Sequence, residues 1–347
     1  MAHYHFDHER LRAQMIKTLR DKQVNEDSIH HVVTSLISTS LRGTDSHGIN
    51  LFPHYCRAYD SGRLNKNPDF QIDQTSGTTA IIHADHSIGH HVGAVAMQHA
   101  IKLAKENGMA AVGVKHSTHF GAAAYFGLMA PPAGCVGFAF TASDSLAKTH
   151  GAKVPFLGTN PICFTAPLAN EAPFCLDTAT TIGTWNRVMN HRRANEPLPV
   201  GIAFDPEGQP TTDPHRARSL TPIGGYKGYG LALMVDILCG ALVGSVTGGD
   251  MLPMYSIPIE QKRDVGHFFM AIDLERFRGV DAFSAELQSI VDRLRAEPPV
   301  EGGEAVMVPG DPEKRSEVMR RETGIPIHES SYEQYLQISP EYAQALR

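Results

Sequence analysis

The feature that most constrains this chain is a hydrophobic period that changes twice along it. Residues 8–20 carry Leu11, Met15 and Leu19 at helical spacing. Asn25 suits the N-cap of a second helix through Ile29, Val32, Val33, Leu36 and Ile37, with Gly43 placed to end it. From about residue 78 the pattern becomes short apolar runs bounded by Gly, Pro and Asn, at 79–82, 109–114, 136–140, 162–166, 174–176 and 268–272. A helix over 87–107 closes at Gly108, and 228–246 reads as a long, mostly buried helix with Leu231, Met234, Val235, Leu238 and Leu242. The period is helical again at 282–294 and at 313–322, which Gly324 stops. These runs predict a mixed α/β fold. A sheet-rich α/β domain, 78–269, is inserted into a discontinuous, mainly helical domain, 1–77 plus 270–347.

At roughly 150 residues per domain, 347 residues also suggest about two domains. The net charge of −6 disfavours a nucleic-acid partner, which asks for a basic face. The longest apolar stretch, 230–246, is interrupted by Asp236, and the first residues lack an apolar core behind a basic start, so neither a membrane span nor a secretory signal is expected. Five widely spaced cysteines without a CxxC pair are expected to be free thiols in a reducing cytoplasm.

Four polar clusters could carry chemistry. In 42–48, RGTDSHG, His47 has the side chain suited to proton transfer near neutrality, with Ser46 as a hydrogen-bonding neighbour; the alternative is a plain turn. In 115–121, KHSTHFG, His119 follows a strand and precedes an Ala-rich helix, the place where α/β sheets hold ligands. His116 and His119 form an HxxH pair, a weak metal signal without a third ligand, and no metal is expected. Asp177, at a strand end in LDTATT, could fix an imidazole tautomer, or belong to a turn. The glycines of 221–230, TPIGGYKGYG, permit close backbone approach at a helix start, and Lys227 adds a cation for a phosphate. Their spacing fits neither a Walker A loop nor GxGxxG.

In order along the chain, LRGTDSHG, HSTHFGAAAYF, LGTNP, LDTAT, FDPEGQPTTDP, PIGGYKGYGLALMVDIL and VPGDPE resemble the type-2 malate/L-lactate dehydrogenase family. That group includes malate, sulfolactate and ureidoglycolate dehydrogenases, diketogulonate reductase and cyclic ketimine reductases. The resemblance implies a non-Rossmann fold, NAD or NADP as cofactor with NAD favoured, and a homodimer or higher even-numbered oligomer. It implies catalytic roles for His47 and His119, one of them the proton donor, with Ser46 and Asp177 as hydrogen-bonding partners. It places the cofactor on Ser143, Thr159, Asn160, Asp177, Thr178, Ala179, Lys227 and Pro309-Gly310-Asp311, and the substrate near Tyr55 and residue 51.

Three departures stand out. Leu51 replaces the arginine that clamps a substrate carboxylate, and leucine has no donor to offer. Thr184-Trp185-Asn186-Arg187 replaces Ala-Arg-Gly-Lys, and Asp311 replaces a glutamate. The expected reaction is hydride transfer between NAD(P) and a 2-hydroxy/2-oxo acid or cyclic imino acid other than plain malate or lactate, anchored elsewhere, with Arg57, Lys148 and Arg187 as candidates. A metal-dependent hydrolase or lyase, or an inactive nucleotide-binding homologue, are the alternatives.

Overall fold

A computed structural model describes residues 3–347. The helical start forms as its caps direct. Asp7 accepts hydrogen bonds from the Glu9 and Arg10 amides ahead of His8–Asp21, and Asn25 Oδ1 accepts from the Ser28 amide at 2.7 Å ahead of Glu26–Leu41. Both helices turn their apolar stripes inward. They meet the helices Phe52–Asp60 and Glu329–Ile338 and an antiparallel ladder of His3–Phe6 with Ile325–His328. Phe6, Leu11, Met15, Leu19, Ile29, Phe52, Tyr59 and Tyr335 form this core, so the two ends of the chain build one helical unit.

The larger sheet has seven strands, in spatial order Gln71–Gln74, Thr79–His83, Met109–Ser117, Val265–Asp273, Cys135–Thr141, Ile162–Ala166 and Phe174–Thr178. Only Thr79–His83 and Met109–Ser117 pair in parallel, joined by the helix Gly89–Asn107; every other neighbour is antiparallel. A sheet of this kind lacks the strand-order reversal that makes a Rossmann crevice, which fits the missing GxGxxG. Gly89 starts the crossover helix against the chain that follows the strand: a Cβ there would lie 2.6 Å from the Thr118 carbonyl oxygen and 2.7 Å from Phe120 Cα. A second, five-stranded sheet of short strands carries the helix Trp185–Ala194 over Val188, Ile202 and Leu220.

The fold departs from sequence expectation in three places. The boundary at 269/270 falls inside Val265–Asp273, and the helix Val280–Arg295 packs Val280, Phe283 and Leu287 on the sheet rather than on the helical unit. The Ala-rich segment after Gly121 makes a single turn, Ala124–Gly127, before Pro131 and Pro132. The long helix is α-helical over Tyr226–Asp236 and a π-turn over Ile237–Ala241. Its Ala232, Val235 and Cys239 are buried, but Leu231, Met234, Ile237 and Leu242 are exposed. A helix apolar all round can bury only one face against its own sheet.

Several of the 19 histidines are interior. Burial lowers His90 and His267 to about 3 and His31 and His54 to about 4, so they stay neutral in the folded chain and take up protons on unfolding below the ordinary value of 6.5. A depressed histidine pKa stabilises the fold above 6.5 and withdraws that stability as the pH falls toward the folded value. The fully buried His90 and His267 should therefore each cost about 2 kcal/mol at pH 5 relative to pH 7. Urea titrations from pH 7.5 to 4.5 should show stability falling steadily, and replacing His267 with Leu should flatten that slope.

Candidate active site

A cleft of about 2170 Å³ runs where the helical unit meets both sheets. Its volume exceeds that of an ordinary small-ligand pocket and suits a dinucleotide plus a small acid. The loop after Glu26–Leu41 brings His47 to it. Arg320 pins that loop by a bidentate pair with Asp45, at 2.5 and 2.9 Å, and by a bond to the Ser40 carbonyl. The buried Tyr335 hydroxyl donates to the Ile49 carbonyl at 2.7 Å just beyond it. His119 arrives from the other side, two residues past the end of Met109–Ser117.

The two imidazoles stack with centroids 5.6 Å apart and planes 20° from parallel. His47 Nδ1 lies 2.8 Å from Ser46 Oγ, and His119 Nδ1 lies 2.7 Å from the Tyr55 hydroxyl. A hydroxyl donates to a bare ring nitrogen and accepts from a protonated one. Each ring is thus held through Nδ1 whatever its state, leaving Nε2 to exchange a proton. Burial lowers His47, and burial together with the nearby His47 lowers His119 well below the usual imidazole value. Burial also keeps the Tyr55 hydroxyl protonated. Both histidines are therefore neutral at pH 7.

Asp177 also lines the cleft, but no hydrogen bond joins it to either histidine. Its Oδ2 accepts the Ala124 amide at 2.8 Å, at the start of the Ala124–Gly127 turn. The carboxyl is open to cleft water yet surrounded by protein, and this desolvation raises it to about 6 against the opposing effects of the Ala124 amide and Arg42. The tautomer-fixing position sketched for Asp177 is filled by Tyr55, a residue the sequence places with the substrate.

Of the remaining expected residues, Ser143, Thr159, Ala179 and Leu51 line the cleft together with His47, His119 and Ser46. Ser143 Oγ lies 3.2 Å from Thr159 Oγ1, two small hydroxyls suited to polar groups of a cofactor. Asn160, Thr178, Lys227, Pro309, Gly310 and Asp311 lie outside the cleft lining. Asn160 is buried, accepting from the Ser143 amide at 3.1 Å and donating to the Ala232 carbonyl at 2.9 Å, so it ties the LGTNP turn to the helix Tyr226–Asp236. Asp311 pairs with Arg295, and Gly310 packs against the Cys175 backbone, so this motif clasps the edge strand Phe174–Thr178. Lys227 is exposed at the helix start.

The HxxH pair is split. His116 turns toward His83 and His86, with centroids at 5.7 and 6.3 Å, while His119 joins His47. Among the described residues no three His, Cys, Asp or Glu side chains are arranged to hold a metal ion. All five cysteines are free and buried, and among the described residues no helix is long and apolar enough to cross a membrane.

Sequence reasoning missed the Arg320–Asp45 clamp, Tyr255 and the buried Arg263 with its partner Asp144, all on or beside the cleft. The acidic Asp45 beside His47 was a usable hint that a cation must approach from elsewhere. Nothing local pointed to Arg320, which lies 275 residues away.

This geometry has counterparts of known activity. Residues 6–335 match the malate/L-lactate dehydrogenase family. The chain is 34% identical over 305 residues to the ureidoglycolate dehydrogenase (NAD(+)) of Escherichia coli K12, covering 88% of this chain and 87% of that protein. It is 34% identical over 332 residues to the L-sulfolactate dehydrogenase of Methanocaldococcus jannaschii, covering 94% of each. The crystal structure of malate dehydrogenase from Entamoeba histolytica superposes with a TM-score of 0.92 over 99% of both chains at 28% identity. With the match spanning almost the whole chain and both histidine motifs in place, the protein belongs to the malate/L-lactate dehydrogenase family.

Proposed function

We propose that the protein interconverts a 2-oxo acid, or a cyclic imino acid, and its reduced form with a nicotinamide dinucleotide, and that His119 exchanges the proton. The observation that carries this is the stacked His47–His119 pair in a cleft large enough for both reactants. When bound, the nicotinamide supplies or accepts the hydride. The residues present fit such a group: Ser143 and Thr159 offer paired hydroxyls, and Arg42 and Arg218 bring cations to the same cleft. NAD is favoured over NADP, as in the ureidoglycolate relative's name.

In the reducing direction, negative charge grows on the substrate oxygen or nitrogen as hydride arrives. His119, protonated once the anionic substrate is bound, gives up its Nε2 proton there and is left neutral, while the Tyr55 hydroxyl accepts from Nδ1 and fixes the ring plane. His119 is chosen over His47 because its holder is a fully enclosed tyrosine on the helix Phe52–Asp60, whereas Ser46 sits with His47 on a half-exposed loop. His47, stacked beside it, contacts the substrate. Asp177, poised on the Ala124 amide, lies with the cofactor. A homodimer is the proposed assembly. The exposed apolar face of Leu231, Met234, Ile237 and Leu242 supports it, since such a face is covered in a stable protein.

Three outcomes test this. Replacing His119 with Ala should lower kcat by roughly 10²–10⁴-fold while NADH still binds, read by cofactor fluorescence; near-normal turnover would remove His119 from the mechanism. An anionic inhibitor such as oxamate should raise the depressed imidazoles on binding. Calorimetry of the NADH complex in buffers of different ionisation enthalpy should then show net proton uptake between pH 6 and 7.5, and release would contradict the assignment. Light scattering should give twice the chain mass for the wild type and the chain mass for Ile237→Glu.

A further inference from the structure

Leu51 leaves the cleft without a cation where the family resemblance expects one. It is 7% exposed, and its side chain adds an apolar wall. The lining holds other guanidinium groups, most of them already engaged. Arg192 donates to the Pro214 and Ala217 carbonyls, Arg193 to Asn190, and Arg263 to the Leu252 carbonyl and to Asp144. Arg42 lies close enough to Asp177 to oppose the rise of its carboxyl. Of the other candidates, Lys148 donates to the Gly208 carbonyl at 2.7 Å and sits 4.0 Å over the Phe204 ring, and neither it nor Arg187 lines the cleft.

Arg218 is exposed and unpaired too, but it borders the strand Ser219–Leu220 of the second sheet and is not on the helix that holds Tyr55. Arg57 is the unpaired cation of the helical wall. It lines the cleft, is exposed, and makes no side-chain hydrogen bond or ion pair among the described residues. It stands on Phe52–Asp60, the helix that also holds Tyr55 against His119. Six residues beyond Leu51 at helical rise is about 9 Å further along that helix. The wall between is continuous: the His54 ring lies 6.0 Å from Tyr55 and 5.0 Å from Tyr255. Burial, aided by Arg63, Arg57 and Arg263, keeps His54 uncharged at about 4. The free positive charge on this wall therefore sits at its far end. The field of Arg57 reaches His54 and Tyr255, whereas His119 feels Arg263 instead.

Resting on the proposed 2-oxo acid chemistry, we propose that Arg57 binds a second, distal carboxylate, so that the preferred substrate is a dianionic 2-oxo acid of more than four carbons. Pyruvate has no second anionic group, and the second anion of a sulfonated three-carbon acid or of a four-carbon diacid ends short of a cation set back by that distance. A guanidinium with no competing partner offers a carboxylate two parallel hydrogen bonds.

The experiment compares acids of equal length that differ in the terminal group, 2-oxoglutarate with 2-oxopentanoate and 2-oxoadipate with 2-oxohexanoate, alongside oxaloacetate. The wild type should favour the diacid at least tenfold in kcat/KM at one of the two longer lengths and should turn over oxaloacetate more slowly. In Arg57→Gln the diacid-to-monoacid ratio should fall toward one through KM, and Arg57→Lys should recover part of it, which a purely structural role would not produce. A wild-type preference for the monoacids or for oxaloacetate, or an unchanged ratio in Arg57→Gln, would overturn the assignment. If the wild type reduces none of these acids with NADH or NADPH, the 2-oxo acid reading fails, and calorimetry of the NADH-loaded proteins then decides on Arg57. Adipate binding tenfold more tightly than hexanoate in the wild type, with the difference lost in Arg57→Gln, supports the anion site; equal binding refutes it.

Discussion

The structure depends on one late strand taking the centre of the larger sheet. Val265–Asp273 pairs antiparallel with Met109–Ser117 on one side and with Cys135–Thr141 on the other. His267, fully buried in this strand, bonds across both seams: Nδ1 lies 2.7 Å from Thr141 Oγ1 and Nε2 lies 2.8 Å from Ser117 Oγ. Those partners stand at the strand ends from which His119 and Ser143 continue into the cleft. Both ring nitrogens are satisfied without charge, so the group costs little to bury. A polar tie inside the sheet thus registers two walls of the site.

The other wall comes from the chain ends. The helical unit closes only when residues near 330 meet residues near 50, and the same contacts locate the loop that carries His47. Arg320 and Tyr335 hold Asp45 and Ile49 on either side of His47. Tyr55 then reaches from the helical unit to His119 on the sheet unit. That hydrogen bond joins the two units beside the His47–His119 pair. The pair of imidazoles is an outcome of docking, with burial supplying the depressed proton affinity.

Much of the framework was legible in the residues. Asn25 caps as its side chain dictates, Gly108 and Gly324 end helices at positive φ, and the apolar run 162–166 is a strand over those residues. The DSHG and HSTHFG segments were recognisable as chemistry, because histidine beside small residues at element ends is placed to meet a ligand. Other motifs expected at the cofactor also serve packing. Asn160 spends its amide on Ser143 and Ala232, and VPGDP clasps an edge strand through Arg295 and Cys175. Strong polar motifs signal a demanding environment, and a buried turn is as demanding as a ligand.

The sequence by itself determined the local elements, the family and the kind of side chain available for proton transfer, because period, capping and motif order are properties of neighbours along the chain. The tertiary structure alone decided which histidine Tyr55 holds, which of the Arg and Lys residues stay unpaired at the cleft, and that the apolar helix turns half its surface outward. Those outcomes depend on distances between segments up to 275 residues apart, and hydrogen bonds, desolvation and charge pairing act through space.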